Sequence, residues 1–139
     1  MLYKHKTEKI IHAFYTVYND LGYGFREKVY ENALAIELET LGFKVNQQHQ
    51  IQVYYRKREV GEYFADLLID DLIIIEIKAT RHIAEDNEAQ LLNYLKATIY
   101  EVGLLFNFGV KPEFKRKLFN NDKKGHLKWI ASDSNKTTV

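Results

Sequence analysis

Apolar residues recur at helical spacing over the first part of the chain and alternate with polar residues in its middle. Residues 7–19 carry apolar side chains at the spacing of an amphipathic helix. The sequence DLGYG then favours a turn, because two glycines flank the tyrosine. A second helix is predicted over residues 25–41, and Gly42 is placed to end it.

Alternation in the middle of the chain predicts three strands. The first lies within residues 43–56, and the second and third cover residues 62–69 and 72–79. Only Asp70 and Asp71 separate the second strand from the third. We therefore expect these two strands to form an antiparallel hairpin.

The last part of the chain predicts one more helix and one more strand. The helix covers about residues 85–97 and the strand residues 102–109. Because a helix separates this strand from the hairpin, it can run parallel to a neighbour and give a mixed sheet. Past Pro112 we expect only a short helix and a polar, frayed end over residues 132–139.

The order of elements and the length of the chain together predict one domain. With 139 residues the chain is long enough to bury a single core without disulfides or metals. We expect an α/β fold with a mixed central sheet flanked by helices. Its core would cover about residues 7–109, with a basic extension over residues 110–139.

Composition excludes several kinds of site. The chain has no cysteine, so disulfides, thiolate zinc sites and cysteine nucleophiles are excluded. No segment has the length and hydrophobicity of a membrane span, and the first residues lack the apolar core of a signal peptide. We therefore predict a cytoplasmic protein with no membrane partner.

The formal net charge of +1 gives no argument for nucleic acid, but the basic residues are clustered. Arg56, Lys57 and Arg58 are consecutive, and the stretch from Lys111 to Lys128 is predominantly basic. Clustered lysine and arginine neutralise phosphates even in a protein that is nearly neutral overall. Equally, the first cluster would be expected at a solvated hairpin tip and the second at a soluble terminus.

The third predicted strand carries charged residues on one otherwise apolar face. Glu76 and Lys78 share the face that begins with Leu72 and Ile74. In the antiparallel hairpin Asp66 lies across from the residues near Glu76, so two carboxylates can converge. Such a pair raises at least one pKa and reduces stability unless a cation lies between the two groups.

The candidate ligands of such a cation are oxygen atoms. Without cysteine or a close pair of histidines, they suit Mg²⁺ or Mn²⁺ better than zinc. Lys78 would lie beside the ion, where it can orient or activate the attacking water and stabilise charge on a phosphate. The arrangement suits metal-assisted phosphodiester hydrolysis, with a cross-strand ion pair as the ordinary alternative.

Several motifs resemble those of a nuclease superfamily. Asp66, the sequence EIK at residues 76–78 and the sequence QLLNY at residues 90–94 resemble the PD-(D/E)XK nuclease superfamily and its RecB-like branch. Ala65 stands where the name of the superfamily has proline, a position at which its members vary. The sequence GFREKVY at residues 24–30 is similar to the motif of the small GxxExxY family within that superfamily. The resemblance implies a restriction-endonuclease-like fold with an αβββαβ core.

The resemblance also implies roles for individual residues of the hairpin and the later helix. Asp66 and Glu76 would hold Mg²⁺ or Mn²⁺, with the main-chain carbonyl of Ile77 as a further ligand. Lys78 would be the catalytic lysine. Gln90 would face the site from the later helix and position Lys78 or a phosphate.

An acidic residue from the first core helix often joins the site in this superfamily. Glu27 and Glu31 are both candidates, since they lie four residues apart on one helical face. Glu27 occupies the motif position and is favoured. Tyr30 and Tyr94 are expected to pack in the core, with a hydroxyl group available for a hydrogen bond.

The leading hypothesis from the sequence is a Mg²⁺- or Mn²⁺-dependent nuclease that acts on DNA, with RNA as the second choice. Arg56, Lys57 and Arg58 would contact the phosphate backbone without reading bases. One alternative is a module of the same fold that binds nucleic acid or protein without catalysis. Another is a subunit that is active only with a partner or as a homodimer.

Overall fold

The computed structural model describes residues 2–125, and its elements follow the predicted order with one additional strand. The helices are α1 (Lys4–Leu21), α2 (Glu27–Thr40) and α3 (Glu85–Ala97). The strands are β1 (Val45–Tyr55), β2 (Arg58–Ile69), β3 (Ile73–Lys78), β4 (Val102–Phe108) and β5 (Pro112–Leu118).

The five strands form one mixed sheet in the order β1-β2-β3-β4-β5. Strands β1, β2 and β3 are antiparallel neighbours, β4 runs parallel to β3, and β5 is antiparallel to β4. The parallel pair arises because α3 carries the chain back along the sheet before β4 begins. The predicted α/β fold, a mixed sheet flanked by helices in a single domain, is confirmed.

Strand β3 lies in the middle of the sheet and is buried on both faces. Ile73, Ile75 and Ile77 pack in a cluster with apolar residues of α1 and α2. Ile74, on the opposite face, packs in a second cluster with apolar residues of α3. Each fully buried side chain of this size contributes about 1.5–3 kcal/mol. Because side chains alternate along a strand, Glu76 shares the α3 face with Ile74.

Helix α1 packs an apolar stripe on the face of the sheet opposite α3. Ile10, Phe14 and Val17 are buried, and the ring of Phe14 stacks on that of Phe106 with 4.4 Å between centroids. Across residues 2–125 no helix combines the length and the apolar character needed to cross a membrane.

Strands β1 and β2 extend beyond the rest of the sheet as a two-stranded ribbon, defined here as residues 48–66. Main-chain pairing of β2 with β3 is confined to Leu67–Ile69, whereas pairing with β1 continues to the hairpin tip. At the tip Arg56 and Lys57 both have positive φ, 48° and 69°. This is the conformation that a two-residue hairpin turn requires.

The chain past Pro112 differs from the expectation. Residues 112–118 form an edge strand instead of a helix, and up to residue 125 a 3-10 turn, Asn121–Lys123, follows it. The strand is rich in Lys and Arg, which suits an exposed sheet edge and hides the alternation that a half-buried strand would show. Proline is acceptable at the first residue of an edge strand. The frayed end predicted for residues 132–139 lies outside the described residues.

Candidate active site

The sheet opens where β2 and β3 separate. Main-chain pairing between them ends at Leu67 and Ile75. The next residue of β2 is Asp66, whose Oδ2 accepts a hydrogen bond from the main-chain N–H of Ile77 at 2.7 Å. A side chain therefore takes the place of a main-chain partner, and Asp66 is held beside Glu76, as the hairpin register predicts.

Glu76 is a buried carboxylate with incomplete hydrogen bonding. The residue is 6% exposed, and its Oε1 is buried without a hydrogen-bond partner among the described residues. Burial raises the pKa of Glu76 to about 9, and the charge of Asp66 acts in the same direction. The charge of Lys78 has the opposite effect on this pKa. A buried oxygen without a partner is destabilising by about 1–3 kcal/mol, so this carboxylate favours a cation beside it.

Asp66 is the second carboxylate of the pair, and its pKa is raised too. Burial raises the pKa of Asp66, while hydrogen bonds from the Ile77 N–H and the Gln48 amide oppose that rise. The charge of Glu31, on helix α2, raises the pKa of Asp66 further. Three acidic side chains therefore influence one another at the opening between β2 and β3.

The side-chain amide of Gln48 connects Asp66 with Glu31. Its Nε2 donates to Oε1 of Glu31 at 2.7 Å and to Oδ1 of Asp66 at 3.2 Å. The other oxygen of Glu31, Oε2, accepts hydrogen bonds from Gln47 at 2.7 Å and from Lys28 at 3.0 Å. With only 3% of its surface exposed, Glu31 is fixed in place beside the carboxylate pair.

Glu27, the helical acid that the motif favours, lies elsewhere. It is exposed in the first turn of α2, where a carboxylate interacts favourably with the helix dipole. The structure thus brings Glu31, and not Glu27, next to Asp66. A signal for this was present in the sequence, because Glu31 shares a helical stripe with the apolar residues Leu34 and Leu38.

Gln48 is a site residue that sequence reasoning missed. It lies opposite Asp66 in the register of β1 and β2, at the one position between His49 and Gln47 where the pairing is interrupted. Its φ of 52° is in the left-handed region, which is unfavourable for a residue other than glycine. This backbone conformation has no signature in the sequence, so only the structure identifies the residue.

Lys78 and Tyr94 lie near the carboxylate pair, and Gln90 lies on the same helix as Tyr94. Lys78 is half-buried at the end of β3, on the same face as Glu76. Tyr94 is 5% exposed on α3, and burial, together with the charges of Glu76 and Asp66, raises the pKa of its hydroxyl. Gln90 lies one turn earlier on α3 and lines a cleft of about 820 Å³ together with Tyr94.

The motif residues Gly24 and Tyr30 of the sequence GFREKVY shape the start of α2. The hydroxyl of Tyr30 donates to the carbonyl of Gly22 at 2.6 Å and accepts from the main-chain N–H of Phe25 at 3.2 Å. Its ring stacks on Phe108 with 4.3 Å between centroids. Gly24 has a φ of 114°, which favours glycine. Tyr30 is therefore a core residue with a bonded hydroxyl, as expected.

The basic residues Arg56, Lys57 and Arg58 are exposed at the tip of the ribbon. Asp66 follows Arg58 by eight positions along the extended strand β2, which corresponds to about 26 Å. The guanidinium of Arg56 lies over the ring of Tyr55, 5.3 Å from its centroid. These cations do not contact the carboxylate pair, and any phosphate they bind is several nucleotides away from it.

The donor atoms at the carboxylate pair suit a hard divalent cation. Within residues 2–125 no group of three or more His, Cys, Asp or Glu side chains is arranged to hold a metal ion by itself. Asp66 and Glu76 bring two carboxylates together, and the predicted third ligand, the main-chain carbonyl of Ile77, stays a prediction. The unpartnered Oε1 of Glu76 and the raised pKa values of both acids mean that a cation between the two groups would be stabilising.

Comparisons with known proteins give the same fold and a family. A family model described as the PD-(D/E)XK nuclease superfamily matches residues 4–117. The crystal structure of a protein designated SSO0001 is similar, with a TM-score of 0.50, 18% sequence identity and coverage of 73% of this chain. The match covers 56% of that protein's chain, and at this identity it supports the fold alone. No curated protein matches the sequence. From the extent of the family match, the chain belongs to the PD-(D/E)XK nuclease superfamily.

Proposed function

We propose that the protein is a divalent-metal-dependent nuclease that hydrolyses phosphodiester bonds of DNA, with RNA as the second choice. The observation that carries the proposal is the pair Asp66 and Glu76 beside Lys78. A buried and a half-buried carboxylate with raised pKa values and an unpartnered oxygen are stable together only with a cation or a shared proton. The positive charge of Lys78, on the same strand face, compensates part of the negative charge of this pair.

Asp66, Glu76 and the main-chain carbonyl of Ile77 would hold Mg²⁺ or Mn²⁺. When bound, such an ion neutralises charge on the phosphate and lowers the pKa of water. Asp66 is held in place by the N–H of Ile77 at 2.7 Å, so its position does not depend on the ion. The half-buried ammonium group of Lys78 would orient the attacking water and stabilise the negative charge that develops on the phosphate.

Glu31 would be the acidic residue contributed by the first core helix, in place of Glu27. Its bonds to Gln48, Gln47 and Lys28 leave its carboxylate fixed and directed at the Asp66 side of the site. A fixed carboxylate near the ion would orient a water molecule or a further ligand of the ion. Gln90 would contact the substrate from α3.

The finer family assignment belongs to the same proposal. Gly24, Glu27 and Tyr30 match the motif of the GxxExxY family, and Gln90 and Tyr94 match the helix of the RecB-like branch. Two of these residues have structural roles at the start of α2: the Tyr30 hydroxyl donates to the Gly22 carbonyl, and Gly24 adopts a positive φ. The cytoplasmic location, the homodimer and phosphate contacts by residues 56–58 stay predictions.

The test compares wild type, Asp66→Asn and Asp71→Asn on a panel of linear, circular, branched and single-stranded DNA and of RNA, with Mg²⁺ or Mn²⁺. An asparagine at position 66 can still accept the Ile77 hydrogen bond, so folding should persist. Asp71 is an exposed turn residue and serves as the matched control. Cleavage by wild type and by Asp71→Asn, with loss in Asp66→Asn, supports the proposal. Equal cleavage by all three proteins contradicts it, and no cleavage by any of them favours the binding module or the partner-dependent subunit.

A further inference from the structure

A cleft lies between the ribbon and helix α3, and its walls are rich in tyrosine. It has a volume of about 820 Å³, with Tyr54, Tyr55 and Tyr63 on the ribbon side and Tyr94 on the helix side. The rings of Tyr63 and Tyr94 are 5.5 Å apart between centroids and tilted by 43° to each other. Tyr63 is 46% exposed and Tyr94 only 5%, so Tyr63 offers the ring that a ligand can reach, with Tyr94 packed beside it.

Helix α3 lines the same cleft with side chains that form hydrogen bonds. Gln90 and Asn93 present amide groups that can both donate and accept, while the Asn87 oxygen already accepts from the Ala84 N–H and leaves only its NH₂ group to donate. Lys96 adds a cation and Asp86 an anion at the helix side. Flat aromatic surfaces combined with amide groups are the chemistry that recognises a nucleobase, through its face and its edge.

The cleft borders the candidate active site at Tyr94. Tyr94 lines the cleft and packs in one buried cluster with Ala65 and Ile74. Ala65 precedes Asp66, and Ile74 shares the α3 face of β3 with Glu76. Burial and the charges of both acids raise the pKa of the Tyr94 hydroxyl. We therefore expect a nucleotide bound in the cleft to approach the two carboxylates from the Tyr94 end.

We propose that this cleft binds an unpaired nucleotide of the substrate, with its base against the exposed ring of Tyr63 and its edge at the amides of Gln90 and Asn93. The inference rests on the proposed function for the reaction, and it adds the substrate class: single strands and the single-stranded parts of overhangs or flaps. The volume falls in the range of about 300–1,000 Å³ typical of small-ligand sites. A base pair within a double helix cannot enter such a cleft without unpairing.

The charges around the cleft favour nucleic acid over a peptide as the occupant. The basic residues 56–58 continue from Tyr55 at the tip of the ribbon, and Lys96 lies on the helix side. A strand with one base in the cleft can place its next phosphates against these cations. Asp86 is the only acidic side chain among the residues that line the cleft.

Binding measurements in Ca²⁺ with intact, labelled oligonucleotides test the inference separately from cleavage. The probes are a single-stranded oligothymidylate, a duplex with a single-stranded overhang and a blunt duplex. The proteins are wild type, Tyr63→Leu, Asn93→Ala and the control Tyr23→Leu, which changes an exposed tyrosine outside the cleft. Tyr63 and Asn93 are exposed, so their variants should fold.

Wild type should bind the single strand and the overhang more tightly than the blunt duplex. Tyr63→Leu should weaken single-strand binding by about 5- to 150-fold, the range for losing one base–aromatic stack. Asn93→Ala should weaken it less, and Tyr23→Leu should leave it unchanged. Tighter binding of the blunt duplex, or equal single-strand binding by Tyr63→Leu and wild type, overturns the inference, as does displacement of the oligonucleotide by an unrelated peptide.

The two proposals fail in distinguishable ways. Single-strand binding that requires Tyr63, without cleavage in any metal ion, supports the cleft and contradicts the nuclease. Cleavage of blunt duplexes that requires Asp66 and is unaffected by Tyr63→Leu contradicts the cleft and supports the nuclease.

Discussion

Replacing Glu76 by glutamine should stabilise the protein without metal and remove its response to metal. Glutamine has nearly the same shape as glutamate but does not ionise. In the wild type the folded protein holds a proton on Glu76 at pH 7, because burial and Asp66 raise the pKa to about 9. The unfolded chain, with an ordinary pKa of 4.5, is ionised at that pH.

The size of the effect follows from proton linkage. Between pH 4.5 and 9 the folded state binds a proton that the unfolded state lacks, so the free energy of unfolding decreases as pH rises through this window. Each pH unit corresponds to about 1.36 kcal/mol for one proton. At pH 7 the wild type is therefore less stable than Glu76→Gln by about 3 kcal/mol, which corresponds to a Tm difference of about 10 °C.

Chemical and thermal unfolding at pH 5, 7 and 9, with and without Mn²⁺, measure this difference. Without metal, the advantage of Glu76→Gln should be small at pH 5 and should grow with pH. With Mn²⁺ in hundredfold excess over its Kd, the wild type should gain about 2.7 kcal/mol, whereas Glu76→Gln should gain much less. Glu27→Gln, the same change at an exposed site, should shift stability by less than about 0.5 kcal/mol.

The reasoning is refuted if Glu76→Gln is less stable than wild type at pH 7 without metal. That result would mean that the Glu76 carboxylate is already compensated within the protein. It is equally refuted if Mn²⁺ stabilises both proteins to the same extent, since the carboxylate would then not be a ligand.

Three further predictions concern the helical acid, a close backbone contact and the ribbon tip. Under single-turnover conditions, Glu31→Gln should lower the cleavage rate at least tenfold, and Glu27→Gln should leave it nearly unchanged. The opposite order would identify Glu27 as the helical acid of the site. Gly109→Ala should destabilise the protein by about 1–3 kcal/mol in urea unfolding, because the added Cβ would clash with the main-chain oxygen of Thr80, whereas Gly125→Ala, which has no close neighbour among the described residues, should be neutral. Alanine at residues 56–58 should make the salt dependence of DNA binding less steep by about two in log–log slope, and an unchanged slope would place the phosphate contacts elsewhere.

The pairing of Asp66 with Glu76 was predictable because both rules behind it are local. A short turn fixes the register of a hairpin, and alternation along a strand fixes which side chains share a face. The opening between β2 and β3 was not predictable, since it depends on Asp66 replacing a main-chain partner of Ile77. Register alone places two carboxylates close together but does not reveal that the strands separate there.

For the acidic residue of α2, the motif and the buried face of the helix indicate different residues. Glu27 and Glu31 lie on one side of α2, and the motif favoured the first. The orientation of α2 against the sheet decides between them, and Glu31 lies in the buried stripe with Leu34 and Leu38. The role of Gln48 could not be predicted from the sequence, because it depends on a left-handed backbone conformation within a strand.

The fifth strand was missed for a different reason. An edge strand exposes its charged side chains, so residues 112–118 lack the apolar alternation that indicates a strand. Their pairing with β4 is a tertiary interaction that no local pattern records. The end of the basic stretch, residues 126–128, lies outside the described residues.

Single-turnover cleavage by Lys78→Met, compared with wild type and with Lys111→Met, tests the central claim most directly. Methionine keeps the length of the side chain and removes only the ammonium group, and Lys111 is an exposed lysine outside the site. With single-stranded and overhang substrates in Mn²⁺, the account predicts loss of cleavage by Lys78→Met at least hundredfold, with circular dichroism and Mn²⁺ binding retained. Cleavage by Lys78→Met at the rate of wild type would contradict the account.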